Sequence, residues 1–307
     1  MKNTIPFRVR PMLATLVREP FQEHGWIYEE KYDGYRILAY KEGKRVKLMS
    51  RNAIDRTDRF PHVADAIRNL RHVNLLFDGE AVVFDRKGVS RFQLLQQGSG
   101  ESVYAVFDCL YLEGHDLRAE QLNKRRGALE DSIGSNKILM QSRILHANGL
   151  EAYKIAKRKG YEGIVAKDFA SPYVEGRSRN WLKVKVHQED EFIIIGFTEP
   201  SGSRKHFGAL LLGAYRDGKL YYAGKVGTGF DEKTLNSLYG KLHPLVRKRT
   251  DVVDPPHGSK IHFVEPRLVA QITYQEWTAD NKLRQPVFLG LRDDKNPREV
   301  TLPEIRT

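Results

Sequence analysis

Apolar and polar positions alternate in short runs over most of the chain, a pattern that predicts strands more often than helices. Runs at 26–31, 35–41 and 45–50 read as strands, the last two alternating polar and apolar residues. From Pro61 to Leu70, Val63, Ala66, Ile67 and Leu70 recur at helical spacing. Leu75-Leu76-Phe77 and Ala81-Val82-Val83-Phe84 predict two strands interrupted by Asp78-Gly79-Glu80. Residues 92–97 predict a short helix, 103–112 a buried strand, and 122–133 and 150–159 two longer helices. Residues 163–166 and 181–186 are strands again. Residues 1–25 carry Pro6, Pro11 and Pro20 and read as an extended lead-in, with 11–14 packed on the first domain.

His187-Gln188-Glu189-Asp190-Glu191 is a polar break, after which the texture changes. Runs at 192–197, 209–215, 220–226 and 268–277 predict strands with glycine-bearing turns, and 232–242 predicts a helix. This pattern suits a small barrel of oligonucleotide-binding type, with an antiparallel sandwich as the competing topology. The expected organisation is α+β, with domains at 1–187 and 188–307.

Composition narrows the partners. The chain has 307 residues and a formal charge of +12, with a pI of about 9.6. Such an excess favours a polyanion, because neutralising phosphates releases counterions. Cys109 is the single cysteine, so an intrachain disulfide and a four-cysteine zinc site are excluded. It lies in an apolar run and reads as a buried small residue. The first sixteen residues lack the apolar core of a signal peptide, and no stretch is apolar enough to span a bilayer. These features predict a cytoplasmic, nucleoid-associated protein.

No P-loop, His-Glu-x-x-His motif or nucleophile elbow is present. Polar residues do gather at strand ends and turns: Lys31 before Asp33-Gly34, Arg51, Glu80, Glu162, Lys183 and Lys185. A lysine at a strand end beside a tight turn is fixed yet open on one side. It attacks only once its amine has shed a proton. Lys183 and Lys185 share a strand face, since side chains alternate with period two, and two ammonium groups there could grip a phosphate. Taken singly, each residue is equally a hairpin lysine or a salt-bridged surface charge.

Taken in order, Lys31-Tyr32-Asp33-Gly34, Ser50-Arg51-Asn52, Asp78-Gly79-Glu80, Tyr104-Ala105-Val106-Phe107-Asp108, Glu162 to Lys167, Lys183-Val184-Lys185 and Arg292-Asp293-Asp294-Lys295 resemble the motif set of covalent nucleotidyltransferases. That superfamily comprises DNA ligases, RNA ligases and capping enzymes. Phe207 to Gly213, Glu276-Trp277-Thr278 and Leu283 to Arg292 resemble more narrowly the ATP-dependent ligase domain of bacterial ligase D and its stand-alone relatives.

The resemblance implies a nucleotidyltransferase domain of antiparallel sheets with flanking helices, followed by the oligonucleotide-binding barrel. It implies that Lys31 attacks the α-phosphorus of ATP and carries AMP. Glu29 would accept a hydrogen bond from the adenine amino group, and Phe107 and Val165 would close on the two faces of the base. Arg36 and Arg51 would contact phosphate and ribose. Glu80 would bind ribose or a metal-bound water, and Glu162 would help hold Mg2+ or Mn2+. Lys183 and Lys185 would grip the α-phosphate. Arg292, Asp294 and Lys295 would swing over ATP to orient pyrophosphate, with 187–191 as the hinge. The implied protein is a monomeric ATP-dependent DNA ligase that seals nicked duplex DNA, with end-joining proteins as further partners. An RNA ligase, a guanylyl-transferring capping enzyme and a catalytically idle nucleic-acid-binding module are the rival readings.

Overall fold

The computed structural model describes residues 5–186, 188–200, 205–258, 260–278 and 280–302. The chain divides into two compact units, Met1–His187 and Gln188–Thr307.

The first unit runs β1 (Met12–Leu16), β2 (Trp26–Lys31), β3 (Tyr35–Glu42), β4 (Arg45–Ser50), α1 (Pro61–Arg68), β5 (Asn74–Val82), α2 (Phe92–Gln96), β6 (Val103–Leu112), β7 (His115–Asp116), α3 (Leu122–Ile133), β8 (Leu139–Gln141), β9 (Ile144–His146), α4 (Gly149–Lys159), β10 (Gly163–Asp168) and β11 (Gly176–Lys185). These strands form two sheets. One has the order β1-β11-β10-β2-β9; the other has β4-β3-β5-β6-β7, with β8 added on β6. Most pairs are antiparallel, but β1 with β11 and β6 with β8 are parallel. Long connections separate the partners of both parallel pairs, which removes the hairpin constraint.

Period-two alternation sorts the side chains into layers. Tyr28, Ile164, Ala166 and Val184 face one way from the five-stranded sheet and pack on Ala152 and Ala156 of α4. On the six-stranded sheet, Ile37, Ala39, Phe77 and Val106 pack on Val63 and Ile67 of α1 and Leu129 of α3. The remaining faces meet each other, where Leu38, Leu76, Phe107, Met12, Tyr173 and Trp181 form a third cluster.

Two local expectations change. Residues 74–82 form one strand, because Asp78 and Glu80 point to the inter-sheet face while β3 and β6 continue to pair along both edges. The Asp33-Gly34 turn is not a hairpin: β2 and β3 belong to different sheets. Gly34 is required at that crossing, since a Cβ there would run into the Ala81 carbonyl and the Val82 side chain.

The second unit contains β12 (Glu189–Thr198), β13 (Leu210–Arg216), β14 (Lys219–Val226), α5 (Glu232–Leu242), β15 (Val246–Arg247), β16 (Ile261–Val264), β17 (Val269–Thr273), β18 (Glu276–Trp277), β19 (Leu283–Arg284) and β20 (Val287–Leu291). One edge of β12 is shared, with β17 on its first half and β16 on its last three residues. The sheet therefore bends around a single core, which includes Ile193, Ile195, Leu212, Val226, Leu238 and Phe288. The expected barrel does not close: among the described residues β14 and β20 pair on one edge each and not with one another. Glu189, Asp190 and Glu191 belong to β12, paired with Thr273, Ile272 and Gln271. Three of the five positions of the expected hinge at 187–191 are thus strand residues, and His187 lies outside the described residues.

Candidate active site

Strand register assembles the site. On β2, β10 and β11, Lys31 lies opposite Gly163, which lies opposite Lys185. The next row is Glu29, Val165 and Lys183, and the one after is Ile27, Lys167 and Trp181. Directly opposed residues share a face, so this whole grid looks toward the six-stranded sheet. Gly163 sits at the centre of the first row because a Cβ there would strike the Val184 carbonyl.

The turn after Lys31 is tied down from three directions. The Arg143 amide donates to the Tyr32 hydroxyl at 3.1 Å, and the Asp33 amide donates to Ser90 Oγ at 3.0 Å. The Phe92 amide, at the start of α2, donates to Asp33 Oδ2 at 3.0 Å. Glu162 is delivered from the other side. Asn148 caps α4 through bonds from the Leu150 and Glu151 amides, and Gly160, with φ of 76°, ends the helix in a left-handed turn. The Val186 amide then donates to the Glu162 carbonyl at 2.9 Å.

Lys31 Nζ pairs directly with Glu162 Oε1, and the two side chains remain 18% and 12% exposed. Burial pushes the Glu162 carboxyl up, but Lys31, Lys185 and Lys183 outweigh it and hold the group below the usual carboxylate range. One carboxylate therefore answers to three ammonium groups at a partly open position.

One row along, the balance differs. Glu29 is buried between two cations: Oε1 meets Arg126 Nη1 of α3, and Oε2 lies 2.7 Å from Lys167 Nζ. Arg126 is braced by Ser142, with Nη1 donating to its Oγ at 3.0 Å and Nη2 to its carbonyl at 3.2 Å. Burial holds the Lys167 ammonium below the ordinary lysine range, with Arg126 adding to the effect and Glu29 opposing it.

The facing sheet supplies the rest. Asp78 pairs with Asp108 and Gly79 with Val106, leaving Phe107 as the extra residue of a bulge. The Phe107 ring lies 4.4 Å from the Arg36 guanidinium and 4.5 Å from Lys167 Nζ, measured to its centroid. Arg36 forks onto Asp78 at 2.5 and 2.6 Å and also donates to the Met12 carbonyl. Tyr173 donates to the same carboxylate at 2.6 Å. The guanidinium assigned by resemblance to phosphate and ribose is thus committed to a buried carboxylate. Glu80, opposite Arg36 in register, and Arg51, just past the end of β4, are half-buried.

In the second unit, Arg292 forks onto Asp294 at 2.8 and 2.9 Å and donates to Gln271 Oε1. Lys295 Nζ lies 3.1 Å from Glu191. Arg292, Asp294 and Lys295 thus form one network with Glu191, near the start of β12.

Residues 11–185 match the family described as the ATP dependent DNA ligase domain, and 203–295 match its C-terminal region. The chain belongs to the ATP-dependent DNA ligase family. It is 38% identical to the multifunctional non-homologous end joining protein LigD of Pseudomonas aeruginosa, over 98% of this chain and 37% of that protein. Identity to the DNA ligase of Thermococcus fumicolans is 33%, over 95% of this chain and 57% of that one. Among solved structures, mycobacterial DNA ligase D complexed with ATP and MES superposes with a TM-score of 0.71 at 33% identity, over 97% of this chain and 99% of that one. The chain therefore spans well under two thirds of these curated relatives.

Sequence reasoning on this ligase-family chain assigned no role to Arg126, Lys167, Asp78 or Tyr173. A signal for Arg126 was present: with Arg125 it interrupts the apolar stripe Leu122, Leu129 and Ile133 of α3. Arginines in a buried stripe require buried acids, and Arg125 finds Asp108 at 2.7 and 2.9 Å.

Proposed function

We propose that this chain is an ATP-dependent DNA ligase working through a lysyl-AMP intermediate. The observation that carries the reading is the row Lys31–Gly163–Lys185, with Lys183 one step along and Glu162 against Lys31. It sets one amine at a strand end among cations that suit a phosphate. Lys31 Nζ attacks the α-phosphorus of ATP, a P–N bond forms, and the α–β P–O bond breaks with its electrons leaving on pyrophosphate. A DNA 5′-phosphate oxygen then displaces Lys31 and takes the AMP. Attack by the neighbouring 3′-hydroxyl forms the phosphodiester and releases AMP.

Lys183 and Lys185 neutralise phosphate charge, and Glu29 and Val165 meet the base. Phe107, at the bulge, offers the stacking face. Arg36 acts at one remove, holding Phe107 and Asp78 in place. Glu162 and Glu80 suit a magnesium or manganese ion, which needs only one or two carboxylates beside phosphate and water oxygens. The ion would offset negative charge on the phosphates. Arg51 suits the DNA 5′-phosphate, and Arg292 and Lys295 the pyrophosphate. The excess positive charge suits duplex DNA, and the LigD likeness supports a role in end joining.

The test is labelling with radioactive ATP and magnesium, followed by sealing of nicked duplex DNA and of single-stranded RNA. A labelled protein band and preferential sealing of the nick are expected. Labelling with GTP alone, or faster joining of RNA, would overturn the reading.

A further inference from the structure

The buried set around Glu29 contains more charge than base contact requires. A carboxylate is an acceptor only, and a free one rotates and samples several partners. Here each oxygen is claimed by a separate cation, Oε1 by Arg126 and Oε2 by Lys167. Arg126 is anchored in turn at the Ser142 Oγ and carbonyl, and its own carbonyl accepts from Gln141 Nε2 at 3.1 Å. The Ser142 amide donates to the Val106 carbonyl at 2.7 Å, next to the Phe107 bulge. A continuous chain of contacts therefore links Glu29, Arg126, Ser142 and the strand that presents Phe107.

We propose that Arg126 is a specificity-determining positioning residue, which fixes the Glu29 carboxylate in one orientation so that it accepts only a purine carrying an amine at C6. This rests on the adenine-facing role proposed for Glu29. A fixed, ionised acceptor meets the C6 amine of adenine favourably. A 6-oxo purine would bring its own acceptor against the carboxylate in a dry site, leaving the purine oxygen without a donor and repelled. Without Arg126, Glu29 gains freedom to turn, and the distinction between the two purines weakens.

ATP and ITP differ at this edge of the base, so lysine adenylation and inosinylation are compared in wild type, Arg126→Met, Arg126→Lys and Ser142→Ala. In Arg126→Met, KM for ATP should rise at least tenfold, and the ATP-over-ITP preference in kcat/KM should fall at least tenfold. Arg126→Lys should recover part of the preference, and Ser142→Ala should lose a smaller part. A folded Arg126→Met that keeps the wild-type ATP:ITP ratio, or loses only kcat, overturns the proposal. Should that variant not fold, unchanged ratios in Arg126→Lys and Ser142→Ala do the same. Wild-type protein that takes label from neither nucleotide defeats the ligase reading itself. Wild type that prefers ATP while every variant prefers it equally defeats only the role of Arg126.

Discussion

Glu162, which meets Lys31 of the first row, and Glu29 of the next row are built in opposite ways. Glu162 meets Lys31 where both remain partly open, at 12% and 18% exposure; Glu29 and Lys167 are each 2% exposed. Water and ligand can exchange with the first pair. The second is costly to desolvate and is held because Lys167 and Arg126 each pair with one oxygen of Glu29. The open pair suits changing partners, such as an amine that must release a carboxylate and take a phosphorus. The dry set suits a constant shape, such as the reading of a base edge. Lys31 and Glu29 lie two residues apart on β2; what separates the roles of their partners is access to water.

The largest effect should come from the open pair. Lys31→Ala should abolish adenylation, by at least about 10⁴-fold, because it removes the amine paired with Glu162 and leaves Lys183 and Lys185 in their places on β11. Label transfer is the measurement, and full labelling of the variant would move the chemistry off this row. Glu162→Ala should slow adenylation by about 10²–10³-fold and weaken its magnesium dependence. An unchanged magnesium titration would confine Glu162 to aligning Lys31.

The second unit offers a third arrangement, in which Glu191 lies 3.1 Å from Lys295 and 3.8 Å from Arg292. This network is held by contacts within its own unit. Arg292→Ala and Lys295→Ala should therefore reduce adenylation by about 10²-fold while leaving the sealing of pre-adenylated nicks much less affected. Equal losses in both assays would detach these residues from the leaving group.

The sequence made some of this visible and hid the rest for physical reasons. Lys183 and Lys185 sharing a face follows from strand periodicity alone. That Lys31 should stand opposite Gly163 does not, because the register between strands so far apart in the chain is set by the packed layers. Phe107 was recognisable as an aromatic in a buried run, but the bulge that turns it and Asp108 to one face depends on pairing with β5. Arg36 was assigned to phosphate and ribose by resemblance, and its pairing with Asp78 shows only once β3 and β5 are side by side. The second unit's helix Glu232–Leu242 was legible from its periodicity, whereas β16 and β20 are too short and mixed to announce themselves.

The smallest expected effect lies on the reverse face of the same strand and sharpens what burial does to a carboxylate. Glu30 points away from the grid; its side chain is fully buried, and Arg143 Nη2 lies 2.8 Å from its Oε2. Arg143 is 39% exposed and shares its guanidinium among the rings of Tyr32, Phe84 and Tyr161. Burial raises the Glu30 carboxyl from 4.5 to about 7, against the pull of Arg143. Between those two values the folded chain keeps a proton that the unfolded chain has lost. Stability from this group is complete below pH 4.5 and declines as the pH climbs through about 7. The penalty at pH 8 has a ceiling of about 3 kcal/mol. Glu30→Gln keeps the shape and removes the titration, while Arg143 retains solvent and its aromatic neighbours. Urea denaturation of both proteins at pH 5 and pH 8 should show the variant gaining about 1–3 kcal/mol relative to wild type on going to the higher pH. A difference between the two proteins that stays constant with pH would mean that Arg143, a single half-exposed guanidinium, satisfies Glu30 fully.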